Sequence, residues 1–460
     1  MNPDIFRAYD IRGIADTDLT NPVVENIGQA FASMIVDQGQ DMPRVGVGRD
    51  ARDSSERIYK ALERGLQKAG AHVVDLAVVP TPLTYFATFQ NDYHGAIQIT
   101  GSHNPGEYNG FKMMLGKETL HGDRIQALYE RIEADDLVTA DKDRGASAKA
   151  DLRKNYIEWI RDNITMGDRK LRIAVDSGNG VAGIVAPELL HDACGVKVHE
   201  LYSEPDGSFP NHHPDPTVEQ NLTDLIDAVR QHDCDFGVAY DGDGDRIGVV
   251  DEGGEIIWGD ELLILFARQV LADNPGATII GEVKCSQTLF DDIEDRGGQA
   301  IMARVGHSLI KAKLRETNAE LAGEMSGHIF FNDRFFGFDD ALYATCRLAE
   351  IVSRTNQPLS ALLADVPTTY ATPEIRQPCD EKLKFKVPGL VADRFSGDYD
   401  VNTIDGVRIK FNNGWGLVRA SNTQPVVVMR AEGDTPESRD RYMRLLEDAV
   451  EEAETQLQSS

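Results

Sequence analysis

Short β-prone apolar runs followed by longer amphipathic stretches recur along this chain. That alternation restricts the fold more than any other feature of the sequence. "RVGVG" from Arg44 precedes the helical pattern "SSERIYKALERGLQKAG", and "AHVVDLAVV" and "GAIQIT" follow. The rhythm restarts at "LRIAVDSGNG", with "GIVAPELLHDACG", "KVHELY" and "FGVAY" behind it. It restarts again at "DELLILFARQVLA", "TIIGEV", "AIMARVG" and "HSLIKAKLRE". Strand-length runs alternating with helix-length ones are the signature of βαβ layers. The reading is α/β: three similar mixed α/β domains and a smaller C-terminal α+β domain. The Pro- and charge-rich "VPTTYATPEIRQPCDEKLKFK" ends the rhythm, and "DRGASAKAD" separates the first unit from the second. The expected domains are residues 1–150, 151–253, 254–366 and 367–460. "DEGGE" at Asp251 reads either as a hairpin turn inside a domain or as the seam between two.

The 460 residues are too many for one compact core. A composition of 41% hydrophobic and 27% charged residues is ordinary for a soluble globular protein. "MNPDIFRAYD" lacks a basic start followed by an apolar core, and no run approaches the roughly 18 apolar residues of a membrane span. A cytoplasmic protein with no membrane partner is expected. The formal net charge of −29 argues against a general nucleic-acid binder. Any anionic ligand must be attracted by a local cluster of Arg, Lys and backbone N–H groups. Cys194, Cys234, Cys285, Cys346 and Cys379 are odd in number, widely spaced and without a C-x-x-C pair. Neither a disulfide framework nor a zinc knuckle is indicated.

Four stretches concentrate chemistry. In "AIQITGSHNPGEYNGFK" an apolar strand ends at Thr100, Gly101 lets the backbone turn, and Ser102 stands at the carboxyl end of the strand. Lys112 follows ten residues later. Ser102 is either a reactive hydroxyl or part of a polar turn, and the G-x-S-x-G elbow is absent. In "AYDGDGDRIGVVD" the carboxylates of Asp241, Asp243 and Asp245 repel one another unless a cation neutralises them. An all-oxygen set suits a hard ion such as Mg²⁺. An EF-hand is excluded because Arg246 stands where that loop needs glycine. In "LAGEMSGHIFF", Glu324, Ser326 and His328 alternate along what reads as an extended segment facing one way. They suit a polyhydroxy ligand or form a polar edge strand. In "VRASNTQPVVVMRAEG", Arg419, Ser421, Asn422, Thr423 and Arg430 form either a phosphate cradle or a loop with surface arginines.

"TGSHNP", "DGDGDR", "GEMSGH" and "RASNT", in this order, resemble the motifs of the α-D-phosphohexomutases, and most closely the bacterial phosphomannomutase/phosphoglucomutase branch. The resemblance runs from "FRAYDIRG" to "VVMRAEG", with no departure at a motif position. It implies four domains around a central cleft, the last one mobile. It implies a phosphorylated Ser102 and one Mg²⁺ held by Asp241, Asp243, Asp245 and the Ser102 phosphate. Glu324 and Ser326 would bind sugar hydroxyls. Arg419, Ser421, Asn422, Thr423 and Arg430 would bind the non-reacting phosphate, with Tyr9, Arg12, Lys284 and His307 lining the cleft. Arg246 would stand near the transferring group, and Lys112 and His328 would handle protons. The implied reaction interconverts hexose 1-phosphate and hexose 6-phosphate through glucose or mannose 1,6-bisphosphate. Sugar phosphates would be the partners of a monomer. The competing readings are a metal-dependent phosphoserine-type sugar phosphatase and a non-catalytic sugar-phosphate binder. His103 is read as a neighbour that shapes the loop and not as the base of Ser102.

Overall fold

The computed structural model describes residues 1–141, 145–421 and 425–459. Its strands form four sheets. The first runs in the order Ile11–Ile14, Tyr108–Leu115, Gly95–Ile99, Arg44–Arg49, His72–Val78 and Ala146–Lys149, with Glu118–Thr119 beside Tyr108–Leu115. The second is Ile256–Ile257, Ile247–Asp251, Phe236–Tyr240, Arg172–Asp176 and Lys197–Leu201. The third is Gln299–Ala303, Thr278–Glu282, Leu321–Gly323 and Ile329–Phe331. In each, parallel strands are joined by an antiparallel strand that follows directly in sequence. The fourth sheet is antiparallel throughout and is backed by the terminal helix Pro436–Gln458.

This shared plan explains where the four motifs fall. Residues 100–107 join Gly95–Ile99 to Tyr108–Leu115, and residues 241–246 join Phe236–Tyr240 to Ile247–Asp251. Residues 324–328 join Leu321–Gly323 to Ile329–Phe331, and residues 421–425 join Gly414–Ala420 to Val426–Gly433. The first three motifs are therefore turns between two antiparallel strands, each at the carboxyl end of the first strand. The ambiguous "DEGGE" is a hairpin turn inside the second sheet, since Val249 pairs with Ile257 and Val250 with Ile256. The Pro-rich stretch that ends the βαβ rhythm supplies strands Tyr370–Ala371 and Ile375–Pro378, both paired to Val426–Gly433. Pro378 stands at the end of its strand, where a missing N–H is tolerated.

The first three units share one continuous core. Phe86 of the first meets Tyr156 of the second edge-on at 5.2 Å and Phe336 of the third at 6.0 Å. Such aromatic pairs contribute about 0.5–1.5 kcal/mol each beyond area burial. The fourth unit keeps a core of its own around Val407, Val418, Met429 and Leu446. It meets the third through Val283, Trp415 and Leu417. There the Arg408 guanidinium lies 3.9 Å from the Trp415 ring and donates to the carbonyls of Val283 and Cys285. All five cysteines are buried and free. Among the described residues no helix is long and apolar enough to cross a membrane.

Helices Asn21–Val36 and Ser55–Lys68 cover one face of the first sheet and touch through reciprocal glycines. A Cβ at Gly65 would stand 2.0 Å from the Glu25 carbonyl oxygen, and one at Gly28 would stand 2.6 Å from that of Leu62. Backbone atoms cannot step aside as side chains do, so the helices would have to separate. Gly65→Ala is therefore expected to cost about 1–3 kcal/mol and lower the thermal midpoint by several degrees. Gly389→Ala, in helix Val387–Phe395 with open space around its Cβ, is expected to leave the midpoint unchanged or raise it. Differential scanning calorimetry of both variants checks the pair.

Candidate active site

Ser102 is buried in the turn that closes the first sheet and takes a left-handed backbone conformation, with φ at +50°. Its N–H is held by Thr100 Oγ1 at 2.8 Å. Gly101 does not adopt a left-handed angle. It is needed for space instead, because a Cβ there would lie 2.4 Å from the Arg52 guanidinium carbon. The Ser102 hydroxyl donates to Asp241 Oδ2 at 2.8 Å, and His103 Nδ1 lies 3.1 Å from Ser102 Oγ. With the serine proton given to Asp241, His103 can only donate to Oγ, so it is not placed as a base. Arg246, burial, Arg12 and Lys112 hold the His103 pKa well below its usual value.

The aspartates of the second turn are fully buried. Gly244, with φ at +75°, lets the turn close. Gly242 lets it approach the first turn, since a Cβ there would lie 2.5 Å from the Ser102 carbonyl oxygen. Asp241 Oδ1 accepts the N–H groups of Asp245 and Arg246 at 3.1 Å each. Asp243 Oδ2 accepts from the Thr81 hydroxyl at 2.5 Å and from Lys112 Nζ at 2.7 Å, and Lys112 also donates to Asp245. Burial, with the charges of Asp243 and Asp245, pushes the Asp241 carboxyl well up. Burial acts the same way on Asp243, but Lys112 and the Thr81 hydroxyl prevail and hold it below the carboxylate range. A lysine base needs a lowered pKa. Burial does pull Lys112 down, but Asp243, Asp245 and Asp241 outweigh it and the net shift is upward. In this arrangement Lys112 is an ammonium ion.

One oxygen from each of the three aspartates lies within 4.8 Å of the others. Asp243 Oδ1 and Asp245 Oδ1 are buried with no hydrogen-bond partner. Unsatisfied carboxylate oxygens converging on one point fit a hard divalent cation.

Glu324, Ser326 and His328 do not alternate along a strand as expected. They occupy a tight turn closed by Glu324 N–H to the His328 carbonyl at 2.9 Å and Gly327 N–H to the Glu324 carbonyl at 3.0 Å. Gly327 takes φ +90°. Glu324 Oε1 accepts the Gly306 N–H at 2.6 Å, Ser326 is half-buried, and His328 stacks on His307 with ring centres 5.4 Å apart. His328 Nε2 accepts from Arg246 Nε at 3.0 Å, while Nδ1 faces Asp339 at 3.0 Å. Asp339 also accepts from Lys311 Nζ at 2.8 Å and lies 3.4 Å from His307 Nδ1.

A cavity of about 690 Å³ brings together Tyr9, Arg12, Ser102, Lys112, Arg246, His307 and His328. Asp241, Asp243 and Asp245 lie behind Ser102 and Lys112, and Lys284, Arg419, Ser421 and Arg430 lie outside the lining on contacts of their own. Lys284 pairs with Glu374 at 3.2 Å, and Arg419 pairs with Asp405 at 3.0 Å. Arg430 touches the Met325 sulfur and lies 5.9 Å from the Trp415 ring. Ser421 is buried, its N–H on the Val426 carbonyl at 3.0 Å. Asn422 and Thr423 lie outside the described residues. One short segment links the two groups. Val305 N–H donates to Asp405 at 3.1 Å, the Val305 carbonyl accepts from the Tyr9 hydroxyl at 3.0 Å, and Gly306 gives its N–H to Glu324.

The chain matches four family models in order. They are phosphoglucomutase/phosphomannomutase alpha/beta/alpha domains I, II and III over residues 3–139, 154–254 and 258–370, and the C-terminal domain over 374–449. The chain belongs to the phosphoglucomutase/phosphomannomutase family. It is 45% identical to a phosphomannomutase/phosphoglucomutase of Pseudomonas aeruginosa, over 98% of this chain and 96% of that one. It is 44% identical to a phosphoglucomutase of Neisseria gonorrhoeae, over 97% of each. A family protein of Burkholderia thailandensis of known crystal structure superposes with a TM-score of 0.92 at 44% identity, covering 98% of each chain.

Sequence reasoning missed several residues that touch this candidate site. Asp339 and Lys311 carry no motif; Asp339 meets His328, and Lys311 meets Asp339, only because helix His307–Thr317 and the segment before helix Ala341–Ser353 pack beside the third turn. Asp50, Arg52 and Thr81 were missed for the same reason. The neighbour of Asp339, Asp340, caps helix Ala341–Ser353 through the Tyr343 N–H and accepts the Tyr156 hydroxyl at 2.7 Å. Burial pushes its carboxyl up to about 7, against those hydrogen bonds. The folded state then keeps a proton that the unfolded chain, with the ordinary value of 3.8, releases. This contribution is full below about pH 4 and is lost as pH rises through 7. Asp340→Asn removes it, so the thermal midpoint of the parent is expected to fall relative to that of the variant between pH 5.5 and 8. Parallel melting curves across that range check it.

Proposed function

We propose that this chain interconverts hexose 1-phosphate and hexose 6-phosphate, with mannose or glucose as the sugar, through a phosphoserine at Ser102 and a hexose 1,6-bisphosphate. The observation that carries the reading is the Ser102 hydroxyl, buried at one end of a cleft and hydrogen-bonded to Asp241 in a cluster of three buried aspartates. Names borne by relatives of near-equal length at 44–45% identity point the same way.

In the forward half-reaction the Ser102 Oγ–P bond breaks and a bond from phosphorus to the free sugar hydroxyl forms; that hydroxyl loses its proton and Ser102 Oγ takes one up. In the return half-reaction Ser102 Oγ loses its proton as the other phosphate passes to it, and the sugar oxygen that phosphate leaves takes up a proton. Such transfers depend on charge neutralisation and in-line placement more than on a strong nucleophile. Asp241, Asp243, Asp245 and the Ser102 phosphate would hold a divalent ion, which we assign as Mg²⁺, to neutralise charge on the group in transfer. Arg246 and the Lys112 ammonium add positive charge from the protein itself. Lys112 suits the donor role in proton transfer. His328 is the acceptor once its Nε2 is released by Arg246, with Asp339 3.0 Å from its Nδ1. Tyr9, Arg12 and His307 line the space in which the bisphosphate turns. Glu324 and Ser326 would take sugar hydroxyls, and Lys284, Arg419, Ser421, Asn422, Thr423 and Arg430 the phosphate not in reaction. We assign the protein as a monomer.

Ser102→Ala is expected to bind glucose 6-phosphate with near-parent affinity by calorimetry while turnover falls roughly 10³-fold or more in a coupled mutase assay. Turnover close to the parent would overturn the mechanism, and release of inorganic phosphate in step with substrate loss would identify a phosphatase. Chelation is expected to reduce turnover to background, with Mg²⁺ restoring it when glucose 1,6-bisphosphate is supplied. Full activity in the chelated enzyme would remove the metal from the scheme.

A further inference from the structure

The Arg52 guanidinium is buried beneath the Ser102 turn and is matched to it carbonyl by carbonyl. Its two terminal nitrogens reach the carbonyl oxygens of Ser102 at 2.8 Å, Asn104 at 2.6 Å, Pro105 at 2.5 Å and Tyr108 at 3.1 Å. Nε is anchored on Asp50 Oδ2 at 3.0 Å, and the same oxygen accepts the Gly101 N–H at 3.0 Å. The Ser55 hydroxyl fixes the other Asp50 oxygen at 2.5 Å. The second unit closes over this assembly. The Phe209 ring lies 5.2 Å from the guanidinium carbon, a Cβ on Gly207 would stand 2.6 Å from Arg52 Cα, and the His213 ring contacts the His103 carbonyl through Nε2.

We infer that Arg52 is a positioning residue for phosphoryl transfer: it holds Ser102 in its left-handed conformation, with Oγ at a fixed place beside Asp241, through both half-reactions. Three observations carry this. The strained residue and the reacting residue are the same one, and a serine at positive φ persists only where its surroundings over-determine it. The carbonyl that Arg52 holds on Ser102 is also the atom packed against Gly242, so a shift of that carbonyl alters the spacing between Oγ and the aspartates. A planar fork can reach four carbonyls at once, whereas an ammonium group with three donors on a flexible stem cannot. Gly101 is the counterpart in sequence, since any side chain there would occupy the place of the guanidinium.

The inference rests on Ser102 being the phosphoryl carrier, so the two are tested separately. Intact-mass analysis of the parent enzyme after incubation with glucose 1,6-bisphosphate should show one added phosphoryl group, mapping to Ser102. Its absence would overturn the carrier reading. With the carrier established, Arg52→Lys is expected to lower kcat by about 10–100-fold, normalised to folded protein, with KM for glucose 1-phosphate changed by less than about threefold. Arg52→Ala should lose as much and regain part of its rate on adding guanidinium ion, which should not restore Ser102→Ala. Gly101→Ala, which displaces the guanidinium while leaving Arg52 in the chain, should reproduce the kcat loss. Parent-like kcat in any folded variant overturns the inference. So does a loss of activity accounted for entirely by unfolded protein, or an Arg52→Ala that guanidinium ion does not improve.

Discussion

Three carboxylates removed from water within 4.8 Å of one another set the terms for the rest of this molecule. Burying one unpaired carboxylate is costly, and burying three together multiplies the cost through mutual repulsion. Compensation has to arrive from elsewhere in the chain. Lys112 comes from the middle of the first sheet, opposite Gln98, and Thr81 from the start of a helix in the same unit. Ser102 comes from the first turn, and His328 from the third unit beside Arg246. The charge problem of one hairpin turn therefore dictates how three units dock. A continuous core runs through those three units, while the fourth, whose described residues bring nothing to the aspartates, packs a separate core.

Much of this was legible in the sequence. The βαβ rhythm located most strands of the first three sheets, because the inner ones, such as Gly95–Ile99, Phe236–Tyr240 and Thr278–Glu282, are largely apolar runs buried on both faces. The aspartate turn was legible because carboxylates between two apolar runs have few structural explanations. Where the reading failed, tertiary packing decided. Alternation of Glu324, Ser326 and His328 looks like a strand, but Gly327 at positive φ folds the segment into a turn, and period-two reasoning no longer applies. Gly101 was read as the residue that lets the backbone turn, and it proves to leave room for the guanidinium of Arg52. Asp339 and Lys311 left no local signal, since their meaning lies in contacts across the sequence.

The segment Val305–Gly306, just before helix His307–Thr317, illustrates a second kind of information that sequence does not display. Its peptide groups answer to the first unit through Tyr9, to the third through Glu324 and to the fourth through Asp405. A Cβ at Gly306 would meet the Tyr9 ring at 2.7 Å. Groups expected to bind sugar and phosphate thus already hold one another in place: Glu324 on a backbone amide, Arg419 on Asp405, Lys284 on Glu374. Those internal contacts are of the same chemical kind as contacts to a sugar phosphate, so a ligand would exchange one set for another and would not enter a bare site. Net affinity is then the difference between two sets of polar contacts, which favours release as well as capture.

The left-handed backbone at Ser102 has a consequence beyond catalysis. Of the ordinary residues only glycine takes that angle freely, and a side chain there costs about 1–2 kcal/mol. The position is thus occupied by a residue that chain conformation alone would not select. Selection for thermal robustness would push it towards glycine and selection for turnover would keep it serine, so the two pressures oppose each other at this codon. Robustness in this scaffold has to accumulate elsewhere, in helix faces and unit cores that leave the turn untouched.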